Sequence, residues 1–136
     1  MKKSLFKEKY SIFSLTISKR EVPYEGIDEI IRYFRKQILE HPVARFLYVF
    51  DHYRHTQGIK GGKIMSRIRQ AKNINLCFGK KLESPEVLAV CPRSIGICDT
   101  GEEFVISFME ASNFVANKAM ESWGLELKTC CLNSSE

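Results

Sequence analysis

The sequence predicts an α+β domain, a two-layer sandwich of about five mostly antiparallel strands with two main helices packed on one face. Three observations predict it. Short segments alternate or run apolar over strand lengths, two longer ones repeat their apolar residues at helical spacing, and turn-forming residues separate them.

Tyr10 to Ser18 alternates, with Phe13, Leu15 and Ile17 on one side and Ser14, Thr16 and Ser18 on the other, as in a half-buried strand. Pro23 and Gly26 mark a turn. Ile27, Ile30, Ile31, Phe34 and Ile38 then define an amphipathic helix, with Asp28 and Glu29 at its dipole-favoured start and Pro42 beyond its end. Val43 to Phe50 is apolar on both faces apart from Arg45, which predicts a central strand. Asp51 to Lys63 contains Gly58, Gly61 and Gly62 and reads as a loop. Ile64, Met65, Ile68 and Ala71 suggest a short helix face, and Asn73 to Phe78 alternates again as a strand. Val87 to Val90 and Ser94 to Cys98 read as two strand pieces separated by Cys91-Pro92-Arg93, where proline points to an edge, bend or bulge. Asp99-Thr100-Gly101-Glu102 is a hairpin turn, and Glu103 to Met109 is the returning strand. Ala116, Ala119, Met120, Trp123 and Leu127 share one helical face, with Ser112 or Asn113 as its cap and Gly124 as an early stop.

A length of 136 residues suits one domain over 1–136, in which 128–136 is expected to be a flexible tail. The apolar share of 44% is enough for a core without staples. The longest uncharged apolar run, Phe46 to Phe50, is too short to cross a bilayer. Lys7, Glu8 and Lys9 interrupt any signal-peptide segment, so the expected address is the cytoplasm. Five cysteines, an odd number without a CxxC pair, fit reduced, small apolar residues in such a compartment. Several strands are apolar on both faces, yet only two substantial helices are available to cover them. A homodimer is therefore expected to bury part of the uncovered face.

The order of motifs from Phe50 onward resembles the bacterial domain-of-unknown-function 302 family. The resemblance rests on Phe50-Asp51-His52 at a strand end, Phe78-Gly79 at another, and the bend at Pro92. A strand, acidic-Gly turn and strand follow over Ile95 to Phe108. It covers about four fifths of the chain by order of elements and implies a small α+β fold, often dimeric, with no assigned activity. Tyr53-Arg54-His55, Lys80-Lys81 and Cys91 depart from that family's pattern, which leaves any shared ligand open.

The densest polar cluster is Asp51, His52 and His55. An aspartate can fix an imidazole's tautomer, which would make His52 a base with Asp51 as its partner. The plain alternative, which is favoured, is a core-edge histidine bonded to backbone, because neighbours on an extended chain point to opposite faces. No metal site is expected: His52 and His55 supply two ligands where three or four are needed, and Cys91 and Cys98 lack a zinc spacing. An arginine beside Cys91 would favour its reactive form, against the plainer reading of a buried thiol at a bend. Arg45 and Arg93 could grip a carboxylate or phosphate through guanidinium forks. Net charge is +5, but Lys60 to Lys72, the most basic stretch, has no aromatic residue for base stacking, so no nucleic-acid partner is expected. The favoured function is a small binding or interaction domain. It would be homodimeric and take a small acidic ligand through His52, His55, Arg93, Arg45 and Cys91, with the cofactor unspecified. The alternative is an enzyme or a metal or redox sensor using Asp51-His52 with Cys91.

Overall fold

Six antiparallel strands form one open sheet in the computed structural model, which describes the backbone of residues 1–134 and the side chains of residues 1–127. The strands are β1 (Lys2–Phe6), β2 (Tyr10–Ser18), β3 (Ala44–Asp51), β4 (Gln70–Phe78), β5 (Arg93–Asp99) and β6 (Glu103–Met109). Their order across the sheet is β1-β2-β6-β5-β4-β3. The helices are α1 (Ile27–Glu40), α2 (His52–Gln57), α3 (Val87–Val90) and α4 (Phe114–Ser134). The expected flexible tail over 128–136, and Cys130 and Cys131 within it, lie outside the residues whose side chains are described.

Residues paired across strands share a face, so the register divides the sheet cleanly. One face carries Phe13 and Ile17 of β2, Phe104, Ile106 and Phe108 of β6, Ile95 and Ile97 of β5, and Ile74, Leu76 and Phe78 of β4. All of these are buried. The apolar stripe of α1 and the face of α4 formed by Ala116, Met120, Trp123 and Leu127 pack over them in the same cluster. Trp123 stacks on Phe78 at 5.9 Å, and the Tyr33 hydroxyl donates to the Trp123 carbonyl at 2.7 Å, tying the two helices together.

Several sequence expectations change here. Ala44 to Phe50 of the expected central strand lie in β3, which is an edge strand and not a central one. Its second set of apolar residues is left half open, with Tyr48 56% exposed. Leu47 is an extra residue against β4, so Tyr48 and Phe50 fall on the open face while Phe46 and Val49 face the helices. The N-terminal segment forms a strand, β1, through a turn in which Lys7 and Glu8 adopt positive φ without glycine. The glycine-bearing loop begins as helix α2, because the Asp51 carboxylate caps it by accepting from the Arg54 backbone N–H at 2.9 Å. Ile64 to Ile68 is not helical, and Ala71 belongs to β4. Val87 to Val90 is a helical turn and not a strand. Asn113 caps α4 as expected, accepting from Val115 and Ala116, but Gly124 does not stop that helix.

The uncovered face also differs from expectation. Its centre is small and polar: Ser14, Ser107, Gly96, Asn73, Ser94 and Asn75 occupy facing positions on β2, β6, β5 and β4. Large exposed apolar side chains lie toward its flanks, Met109 and Tyr10 toward one edge and Tyr48 toward the other, while Val105 of β6 shares the face with Thr16 and Cys98. The large greasy face that prompted the dimer expectation is therefore not its central feature.

Candidate functional site

The register sets Phe50, Asn73, Gly96, Ser107 and Ser14 in one row across five strands of the open face. Gly96 interrupts that row between two polar neighbours. A Cβ placed there would stand 3.5 Å from the Ser107 Oγ and 3.6 Å from the Asn73 Nδ2, so its absence leaves a hollow with hydrogen-bonding walls. The hollow opens into a cleft of about 320 Å³, lined by Ile12, Asn73, Pro92, Arg93, Ser94, Gly96, Ser107, Phe108 and Met109. That volume lies at the lower end of small-molecule sites.

A hydrogen-bond chain fixes the polarity of one wall. Asn73 donates from Nδ2 to the Ser94 Oγ at 3.0 Å, which turns its Oδ1 toward His52, whose Nδ1 lies 3.2 Å away. Because the Asn73 Oδ1 can only accept, the His52 Nδ1 is the donor in that contact. Ser94, already accepting from Asn73, keeps its own hydroxyl hydrogen for the cleft. The Ser107 hydroxyl has no hydrogen-bond partner among the described residues and lies beside it.

Arg93 supplies the charge. One Nη2 hydrogen goes to the Met109 carbonyl, while Nε is buried and lacks a partner among the described residues. Burial pushes the guanidinium pKa down, partly offset by the nearby Cys91 sulfur, yet an arginine remains cationic under ordinary conditions. No carboxylate lines this cleft. The site therefore offers hydrogens and positive charge, and would favour an acceptor-rich ligand.

The residues singled out in the sequence separate into three places. Arg93 is in the cleft. His52 touches it only through Asn73, and its ring is exposed, hydrogen-bonded to a side chain and not to backbone. His55 packs with His52 against Phe50, the ring centroids of His55 and Phe50 lying 5.2 Å apart. Asp51 caps α2 and so is committed to the Arg54 N–H; it lines a separate basic hollow with Arg54, Arg69 and Lys72. The structure does not pair it with His52. Arg45 is on the exposed edge beside Cys77, its register partner in β4, and Cys91 lies just before the start of β5. No group of three metal-ligating side chains occurs among the described residues.

Sequence reasoning missed Asn73, Ser94, Gly96 and Ser107. The available signal was the second set of alternating positions: Asn73, Asn75 and Cys77 between Ile74, Leu76 and Phe78, and Ser94 and Gly96 around Ile95. A strand whose outward residues are small and uncharged leaves room for a ligand on the sheet.

Residues 1–129 match the profile of a family of unknown function, DUF6858. An uncharacterised domain was implied by the earlier resemblance, but membership in family 302 is not confirmed. No curated protein and no solved structure matches the chain. Among the described residues, no helix is long and apolar enough to cross a membrane.

Proposed function

We propose that this chain, which belongs to the DUF6858 family, is a binding domain that takes a small anionic ligand on its open sheet face. The observation that carries this reading is the cleft around Gly96, which is rich in donors, holds one arginine and has no carboxylate in its lining. Arg93, Asn73, Ser94 and Ser107 offer hydrogens toward it and no carboxylate opposes them. A carboxylate or phosphate group accepts from such an array, and charge-assisted bonds to Arg93 add strength. Ile12 and Met109 give apolar contact for the remainder of the ligand. His52 stands outside the cleft and holds Asn73 in orientation, a positioning role.

Titration of the labelled protein with inorganic phosphate and with succinate tests this, read by amide NMR shifts. Shifts are expected at Ser94, Gly96 and Ser107 with one of the two probes, and the responding probe identifies the headgroup. Arg93→Gln should weaken binding by about tenfold or more, the scale of one charge-assisted hydrogen bond. Gly96→Val should abolish binding by filling the hollow while the fold is kept. Silence at these amides with both probes removes the reading.

A second copy of the chain is the partner that the β3 edge favours. This strand leaves one side of its backbone unpaired and exposes Leu47, Tyr48 and Val49. A twofold axis at Val49 would set Tyr48 opposite Phe50 of the partner subunit on one face, an aromatic pairing that is self-complementary. Free thiols at Cys77, Cys91 and Cys98 support residence in a reducing compartment such as the cytoplasm.

A further inference from the structure

We propose that the basic hollow between α2 and the start of β4 binds a phosphorylated sugar. Arg54 and Arg69 hold its phosphate, and Asp51, Gln57 and Gln70 take its hydroxyls. The site is separate from the cleft around Gly96 and shares no lining residue with it.

Local structure assembles the lining. Asp51 ends β3 and caps α2, accepting from the Arg54 backbone N–H at 2.9 Å. Gln57 lies three residues beyond Arg54 and four beyond Tyr53, so these side chains share one face of α2. Facing them, Lys72 pairs with Asp51 in the β3–β4 register, and Gln70 lies two positions earlier on the same face of β4. Arg69 precedes the strand, held by its own N–H, which donates to the Asp99 carbonyl at 2.7 Å. Its side chain passes Gly101, where a Cβ would stand 3.7 Å from the Arg69 Nε. The hollow so formed has a volume of about 340 Å³. Tyr53 is its one aromatic residue, and every other residue in the lining is charged or an amide. Small-molecule sites are mostly apolar, so this lining selects a polar ligand.

The cations are not all engaged. Lys72 meets Asp28 of α1 at 2.9 Å. Arg54 and Arg69 differ: among the described residues neither guanidinium makes a hydrogen bond, ion pair or ring contact. Two such forks suit a phosphate monoester, which carries about −1.5 to −2 charge at neutral pH and three acceptor oxygens. A carboxylate has two oxygens, enough for one fork only. Asp51 repels a bare anion, but its carboxylate keeps lone pairs beyond the bond to the Arg54 N–H, and both glutamine amides donate and accept. Such groups recognise hydroxyls. The ligand that uses the whole lining is therefore a phosphate carrying a polyol.

Amide NMR of the full-length labelled protein, titrated with ribose 5-phosphate, ribose and inorganic phosphate, tests the proposal. Ribose 5-phosphate is expected to shift the Arg54, Arg69 and Gln70 amides and to bind about tenfold more tightly than inorganic phosphate. Ribose alone should leave them unmoved. Arg54→Gln and Arg69→Gln, both at exposed positions, should each weaken binding about tenfold while the rest of the spectrum is kept. Silence of these amides toward ribose 5-phosphate overturns the proposal. So does inorganic phosphate that binds as tightly, or undiminished affinity in both variants. Shifts confined to Ser94, Gly96 and Ser107 would place the phosphate in the other cleft and overturn this site alone.

Discussion

Asp99 illustrates what one residue can conceal. In the sequence it opens a turn, and the turn forms: its Oδ1 accepts from the Gly101 N–H at 2.8 Å, and Gly101 adopts a φ of 98° that glycine tolerates. The structure adds that Asp99 is buried on the core face and meets the Lys19 ammonium at 2.9 Å. This pair joins the β5–β6 turn to the end of β2, eighty positions away in the chain. Asp99→Ala leaves the Lys19 charge and the Gly101 N–H unpartnered at the edge of the core. It should destabilise the fold by about 2 kcal/mol, measured as a lowered urea midpoint with unchanged m-value. Arg93 and Cys91 were legible as reactive types, since a charged and a thiol side chain flank a proline.

At the scale of elements, periodicity located β2, α1 and β6 to within a residue, because each has one face buried and one face wet. It failed where an element is held by something other than its own apolar stripe. Strand β1 owes its place to pairing with β2 and to Lys3, which meets Glu110 at 2.8 Å; that contact and the Ser11 hydroxyl hold the Glu110 carboxyl below the usual range. Gly124 reads as a helix stop, yet α4 continues through it because Trp123 and Leu127 on either side are locked into the core. A Cβ at Gly124 would meet only the methyl and sulfur of Met1, the far end of a flexible side chain that can turn away. Gly124→Ala should therefore raise stability by about 0.5–1 kcal/mol through helix propensity. Calorimetry checks it: a fall in Tm would mean that Met1 cannot yield.

For the whole molecule, the decisive fact is the strand order, with β3 at the margin and β5 and β6 inside. The greasiest segment of the sequence therefore ends at an edge, and the pairing proposed along it is a property of the assembled sheet. Sedimentation equilibrium over a wide concentration range should give a dimer for the native chain. Val49→Lys, a charge on the open edge, should shift it to monomer without loss of the fold. A concentration-independent monomer for the native chain would remove the pairing. The sequence by itself determined the class, α+β, and most elements, because hydrophobic periodicity is a local consequence of which face is buried. Only the tertiary structure decided the order of the strands and the polar floor around Gly96. Each of these joins positions far apart in the chain, and such contacts are set by the packing of the whole sheet against α1 and α4 rather than by any neighbourhood of residues.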